Sequence, residues 1–327
     1  MVGDTAMKND IFNRIETLGV LPELTLRDAI DAIPIGRAIS DGGISMAEVT
    51  FRTDAAEDSI RLMANAIPDM LIGAGTVLTR EQVDAAVSAG AQFIVSPGIN
   101  EEVVRYCQEK EIPIIPGVST PTDIETALRL GLSLVKFFPA ESNGGIRALR
   151  AMSEPYPGLK FMPSGGLNED NVADYLRSNK VLAVAGNWMA TPQMILFGDM
   201  EGIKNRCARA VRLMLGFSFD HVGLNFPKIE EAENAAKEVA RLFDEDMYED
   251  PDGFFVGNFF QSVRPGGPGT YGHVACRTYH LGRAIAFMKE KGLTFDNPYA
   301  RYDQDGNLVS VFSDQEISGM ALLLIQQ

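Results

Sequence analysis

Between residues 20 and 190, short apolar runs rich in Val, Ile and Phe alternate with longer amphipathic stretches that mix Ala, Glu and Arg. A switch of hydrophobic period from two to about 3.6 and back marks repeated βα units. Eight such runs stand at 20–26, 45–51, 71–74, 92–96, 112–116, 132–138, 159–163 and 181–185. Their spacing of roughly 20 to 25 residues leaves room for one crossover helix, which parallel neighbours require. Eight units in series predict an α/β architecture closed as a (β/α)8 TIM barrel. An open doubly wound sheet is the rival, and the lack of a GxGxxG turn makes it second choice.

A helix-like stretch at 199–215 closes the last unit, and the order then changes. A strand at 217–226, an amphipathic helix at 229–243 and one long or two short strands at 253–263 are followed by a Pro/Gly turn at 265–269. A similar order recurs: strand 272–277, helix 281–291, strands 308–312 and 320–325. This loose internal duplication predicts a second, smaller α+β domain, with the boundary near Gly216 and the domains at 1–215 and 216–327. The junction is too short to act as a flexible linker.

Composition narrows the function classes. The chain has 327 residues, 46% of them hydrophobic, and no apolar run approaches the ~20 residues of a membrane span. The first ten residues carry Asp4, Lys8 and Asp10 without an apolar core, so neither secretion nor a transit peptide is indicated and the cytoplasm is expected. Cys107, Cys207 and Cys276 are odd in number and lack CxxC spacing, which argues for buried thiols over a disulfide framework or thiolate zinc. A net charge of -15 excludes nucleic acid and anionic membrane as expected partners, because neutralising phosphates needs a basic surface. A small anionic substrate remains compatible, since one pocket can be positive on an acidic protein.

In a barrel, reactive groups belong at the C-terminal ends of the strands. The second run ends Glu48-Val49-Thr50-Phe51-Arg52, and period two puts Glu48, Thr50 and Arg52 on one face, which only a barrel lumen accommodates. A structural ion pair between Glu48 and Arg52 is the plainer alternative. The sixth run, Leu134-Val135-Lys136-Phe137-Phe138-Pro139, places a lone lysine in an apolar strand. Lysine is rarely buried without a use. An imine-forming amine must be neutral, so a low-dielectric or cationic neighbourhood is expected to depress its pKa, with Arg52 and the phenylalanines able to supply it. A lysine that simply pairs with Glu48 is the alternative. Gly73-Ala74-Gly75-Thr76 and Ser96-Pro97-Gly98 offer small residues for close ligand approach, and Thr76 either donates to a carboxylate or caps the next helix. Ser164-Gly165-Gly166 and Gly186-Asn187 form turns after the seventh and eighth strands, where barrels commonly cradle phosphate.

Taken in order, Glu48-Val49-Thr50 with Arg52-Thr53, Gly73-Ala74-Gly75-Thr76-Val77, Ser96-Pro97-Gly98, Lys136-Phe137-Phe138-Pro139-Ala140 and Gly165-Gly166 closely resemble the 2-dehydro-3-deoxy-phosphogluconate / 4-hydroxy-2-oxoglutarate aldolase family over about residues 10 to 215. The resemblance implies a class I aldolase, usually a homotrimer, that needs no metal or other cofactor and acts on a small 2-oxo acid. It implies that Lys136 forms the imine, Glu48 is the acid/base, and Arg52 and Thr76 hold the pyruvate carboxylate. Pro97, Phe138, Ser164, Gly165, Gly166, Gly186 and Asn187 are expected to complete the substrate site. Two departures stand out. Asn187 replaces the serine that many relatives carry, and Leu21-Pro22-Glu23-Leu24-Thr25 lacks an arginine that several relatives place there, so Glu23 is expected to face the site. Both departures weaken the expected anion pocket for a phosphorylated substrate and leave the pyruvate end of the site intact.

The C-terminal segment resembles more faintly the vicinal oxygen chelate fold of glyoxalase-like proteins, in Phe219-Asp220-His221-Val222-Gly223-Leu224 and Gly272-His273-Val274-Ala275. That resemblance makes His221 and His273 candidate metal ligands. Leucine in 319–324 and Phe259-Phe260-Gln261-Ser262 stand where acids are needed, so a metal-free binding or assembly domain is expected. Two further function classes are carried alongside the aldolase: a barrel sugar-phosphate isomerase or epimerase with Glu48 as base, and a non-catalytic metabolite-binding protein.

Overall fold

Each of the eight apolar runs of the barrel region forms parallel strand in the computed structural model, which describes residues 2–327 and their side chains from residue 10 onward. Met1 and the side chains before Asp10, including Asp4 and Lys8 of the stretch read above for a leader, lie outside the described residues. The strands are β1 (Val20–Leu24), β2 (Met46–Thr50), β3 (Leu71–Gly75), β4 (Phe93–Val95), β5 (Ile114–Ile115), β6 (Gly117–Val118), β7 (Leu134–Phe137), β8 (Lys160–Pro163) and β9 (Val184–Gly186). One sequence run becomes two strands because Pro116, between β5 and β6, has no N–H to give to the ladder; its carbonyl still accepts from Lys136 N at 2.8 Å.

Hydrogen bonding runs in the order β5-β4-β3-β2-β1-β9 and separately β6-β7-β8. The larger sheet includes the pairing of first strand with last, and the smaller sheet joins it where the chain passes from β5 to β6 and where β8 meets the segment before β9. Val20, Leu21 and Pro22 of β1 face Val184, Ala185 and Gly186 of β9. Phe161 of β8 bridges to Val181, with Leu182 N donating to Phe161 O at 2.9 Å. The result is a (β/α)8 barrel. Its helices start where the local chemistry allows: Thr79 caps Arg80–Ala89 by accepting from Gln82 N, and Thr120 with Asp123 forms a capping box ahead of Pro121–Arg129.

The lumen is shaped by absence of side chains as much as by their presence. On β3, a Cβ at Gly73 would strike the Phe93 ring at 2.2 Å, and one at Gly75 would lie 1.9 Å from Glu48 Oε1. Those two glycines sit on one face of their strand, by the period of two, and leave the space that a phenylalanine and a carboxylate occupy. All five residues of β2 are buried, Glu48 included.

The chain divides into two compact units, Met1–Met214 and Leu215–Gln327. The second is a sheet of eight strands in the order β11-β12-β13-β10-β14-β17-β16-β15, comprising β10 (Ser218–Asn225), β11 (Met247–Asp250), β12 (Gly253–Val256), β13 (Phe260–Val263), β14 (Gly272–Thr278), β15 (Arg301–Tyr302), β16 (Leu308–Ile317) and β17 (Met320–Gln326). Helices Ile229–Phe243 and Leu281–Glu290 follow β10 and β14, so each half has the order β-α-β-β-β. In each half the first strand pairs in parallel with the fourth, and the two first strands pair antiparallel at the centre. The 253–263 run forms two strands, not one. The edge strands β11 and β15 were not expected: their residues are half-buried or exposed and carry no apolar alternation. His280 caps the helix Leu281–Glu290. None of the three cysteines is in a disulfide; Cys107 and Cys207 are buried as expected, whereas Cys276, on β14, is only half-buried. Among the described residues no helix is long and apolar enough to cross a membrane.

Candidate active site

The chemistry of the barrel gathers around one amine. Lys136 stands on β7 with every residue of that strand buried, and its side chain is 6% exposed. Glu23 from β1 accepts from Nζ at 2.5 Å, and Glu48 from β2 lies 3.5 Å away. The two carboxylates are themselves register partners across β1 and β2. Ser164, at the end of β8, donates from Oγ to Glu23 Oε1 at 2.7 Å. The Phe138 ring centroid is 5.4 Å from the amine. Glu48 Oε2 is buried with no hydrogen-bond partner among the described residues, a poised acceptor that a native interior leaves bare only for a reason.

These neighbours set the protonation of the resting site. Burial opposes the charge on Glu23, but Lys136, Ser164 and Arg52 outweigh it and hold that carboxyl below its ordinary range. For Glu48 burial prevails, reinforced by the Glu23 charge, and pushes the group up to about 7. Burial also works against the Lys136 ammonium, yet Glu23 and Glu48 more than compensate and raise its pKa. The expected depression of the lysine is therefore not found, because two carboxylates face the amine where a cationic neighbourhood had been expected. Glu48 pairs with Lys136 and not with Arg52, which is exposed and touches both carboxylates only through its long-range field.

A cavity of about 300 Å³ opens over Glu23 and is lined by Arg52, Phe138, Gly165, Gly166, Gly186 and Asn187. Arg52 is the one cationic side chain among its described lining residues. Gly165 and Gly166 adopt φ of 94° and 84°, and a Cβ on the second would meet Glu141 at 2.7 Å, so this turn requires glycine. The backbone after that turn is partly committed: Asn168 N donates to Asn171 Oδ1 at 2.9 Å and Asp170 N to Asn168 Oδ1 at 2.8 Å.

Of the residues expected from sequence, Arg52, Phe138, Gly165, Gly166, Gly186 and Asn187 line this cavity, while Lys136 and Ser164 bond to its Glu23 and Glu48 lies behind them beside Lys136. Thr76 and Pro97 do not line the cavity. Thr76 is half-buried with φ of 57°, a conformation that a β-branched side chain rarely adopts. It does not cap the following helix, since Thr79 does. Pro97 is half-buried at the end of the fourth run, its carbonyl packed where a Cβ on Gly117 would come within 2.0 Å. Sequence reasoning gave Glu23 no role beyond facing the site and missed Ser142 on the cavity wall. Glu23 had the same signal as Lys136, a charge inside an apolar strand.

In the second unit, His221 Nε2 and His273 Nε2 lie 3.0 Å apart, and His221 Nδ1 is 2.5 Å from Asp220 Oδ1. Burial and the neighbouring His221 push His273 down to about 4, so it is neutral. The pair lies on a cavity of about 800 Å³ whose lining includes Phe255, Gln261, Phe312 and Leu323. Two imidazoles turned on each other, with an amide and a leucine beside them, do not fit the donor set of a divalent ion. Among the described residues no three His, Cys, Asp or Glu side chains form a metal-competent group.

Comparison with known proteins places the barrel unit. A family model described as "Aldolase: KDPG and KHG aldolase" matches residues 11–206. The 2-dehydro-3-deoxy-phosphogluconate aldolase of Treponema pallidum is 46% identical over 193 residues, covering 59% of this chain and 92% of that protein. The Escherichia coli K12 KHG/KDPG aldolase is 38% identical over 192 residues, covering 59% of this chain and 90% of that one. Among solved structures, the KDPG aldolase of Legionella pneumophila, with pyruvate captured as a covalent carbinolamine intermediate, is 38% identical with a TM-score of 0.59, covering 60% of this chain and 96% of that chain.

Proposed function

This chain belongs to the KDPG and KHG aldolase family and is a class I, Schiff-base aldolase, and we propose that Lys136 is its imine-forming lysine and Glu48 its acid/base. The reaction cleaves a 2-oxo-4-hydroxy acid, 2-dehydro-3-deoxy-6-phosphogluconate or 4-hydroxy-2-oxoglutarate, to pyruvate and an aldehyde, glyceraldehyde 3-phosphate or glyoxylate. The observation that carries the residue assignment is one buried amine beside a carboxylate with a bare oxygen, bonded to the Glu23 that lines a cavity offering a guanidinium.

The chemistry follows from that arrangement. Arg52, on the cavity wall, binds the substrate carboxylate through its planar fork of donors. This seats the keto carbon against Lys136 Nζ. The iminium then draws the C3–C4 bonding pair toward nitrogen as Glu48 takes the C4 hydroxyl proton, and the aldehyde leaves. Glu48 returns its proton to C3 of the enamine, and water frees pyruvate. A carboxyl with a pKa of about 7 suits both directions of transfer near neutrality. Phe138 walls the reacting centre, Ser164 holds Glu23 against the amine, and Gly165, Gly166, Gly186 and Asn187 receive the far end of the substrate.

Assay of pyruvate release from both candidate substrates tests the reading. Turnover of either one by the native chain, lost in Lys136→Arg, supports it; substantial turnover by Lys136→Arg contradicts an imine and favours an isomerase-like electrostatic role.

For the remaining organisation, the reading is of a cytoplasmic homotrimer with an aldolase barrel at 1–215 and, at 216–327, a non-catalytic binding or assembly domain of glyoxalase-like vicinal oxygen chelate type. The duplicated β-α-β-β-β order supports the type of that domain, and the mutual hydrogen bond of His221 and His273 supports its working without metal.

A further inference from the structure

We propose that Glu23 is a second catalytic carboxylate of this site: it relays the protons of the Lys136 amine while the carbon–nitrogen bond forms and the keto oxygen departs as water, leaving Glu48 to handle the protons of the carbon chain. The inference rests on the reading of Lys136 as the imine-forming residue.

Two carboxylates face the amine, and their surroundings divide the work. Glu23 is the nearer, at 2.5 Å against 3.5 Å for Glu48. It is also the one that lines the cavity, so it meets both the nitrogen and the carbonyl that arrives from the mouth. Glu48 is 1% exposed and wedged over Gly75, out of the cavity lining. Ser164 donates to the same Glu23 oxygen that accepts from Lys136, which fixes the carboxylate against the reacting nitrogen. The groups bearing on Glu23 are Lys136, Arg52 and Ser164, which favour its charge, and Glu48, which disfavours it. It therefore starts ionised, as an acceptor must.

The steps balance. Glu23 takes one proton from the ammonium, and the freed lone pair forms the N–C2 bond as the carbonyl π pair moves to oxygen. The protonated Glu23 gives that proton to the oxygen and then receives the second N–H proton, leaving a neutral carbinolamine. Returned to the hydroxyl, this proton lets the C–O bond break to water while the nitrogen lone pair closes the C=N bond. Glu23 begins and ends as a carboxylate, one N–H stays on the iminium, and no further reactant is consumed.

The test uses the full chain with pyruvate alone. Formation of the borohydride-trapped pyruvate adduct is timed from about pH 5.5 to about pH 9, beside exchange of pyruvate methyl protons with deuterium oxide per trapped enzyme. Glu23→Gln should slow trapping by about 100-fold and flatten its pH profile while exchange from the trapped population is kept. Glu48→Gln should do the reverse. Trapping by Glu23→Gln at the native rate or faster, as when a mere counter-ion is removed, overturns the proposal. If Glu23→Gln does not fold, Glu23→Asp carries the test: slower trapping with kept exchange supports the relay, and equal slowing of both overturns it. Absence of an adduct in the native chain would instead strike the Lys136 reading itself.

Discussion

Gly75 on β3 and Glu48 on β2 share one volume: a Cβ on the glycine would stand 1.9 Å from Glu48 Oε1. The carboxylate proposed as acid/base thus depends on a missing side chain one strand away. Gly75→Ala should push Glu48 off its line to Lys136, costing about 1–3 kcal/mol of stability and most of the activity. Thermal unfolding and kcat check it, and Gly75→Ala combined with Glu48→Ala should be less destabilised than the sum of the two changes, because the clash is gone.

Lys136→Met leaves Glu23 and Glu48 buried beside each other without a cation. Breaking a buried pair in this way costs about 3–5 kcal/mol. The sign with pH is definite. Without the lysine both carboxyls are raised by burial and by each other, so a folded pKa above the unfolded value gives stability that is present in acid and lost as pH rises. Urea melts should show the deficit against the native chain shrinking toward pH 4 to 5, about the unfolded carboxyl range.

Activity should rise with pH through about 7, where Glu48 ionises, since the base form must accept the C4 hydroxyl proton. Glu48→Gln should remove that limb of the kcat profile together with most of kcat. Its stability effect has the opposite sense to a usual surface acid. The raised Glu48 favours the fold at low pH and that contribution is lost through about 7, so Glu48→Gln should gain on the native chain most clearly in alkaline urea melts.

Arg52 is exposed, and no salt bridge to it is seen among the described residues, so the fold owes it little. Arg52→Gln should raise KM for the 2-oxo acid at least about 10-fold while Tm stays within about one degree. A fall in Tm with unchanged KM would move Arg52 from the substrate to the scaffold.

Metal has no part in this chemistry as proposed. Prolonged dialysis against a strong chelator should leave both pyruvate release and the melting temperature unchanged, and loss of either, restored by zinc or magnesium, would contradict the assignment.

Much of this was readable in the chain because the barrel writes its strands as apolar runs at helix-length spacing. Lys136 and Glu48 announce themselves as charges on strands otherwise buried. What could not be read were partnerships across the lumen. Glu23 and Lys136 are 113 positions apart, and periodicity says which face a residue takes, not which of eight strands it will meet. That contact reverses the expected direction of the lysine shift. The left-handed backbone of Thr76 likewise carries no sequence mark, since that conformation usually selects glycine or asparagine. In the second unit β11 and β15 were lost because edge strands half open to solvent need no apolar alternation.

The most direct test of the central claim is peptide mapping after borohydride reduction with pyruvate. The account predicts a single covalent adduct on the peptide bearing Lys136, absent in Lys136→Arg. An adduct on another lysine, or none in an enzyme that still turns over substrate, would contradict it.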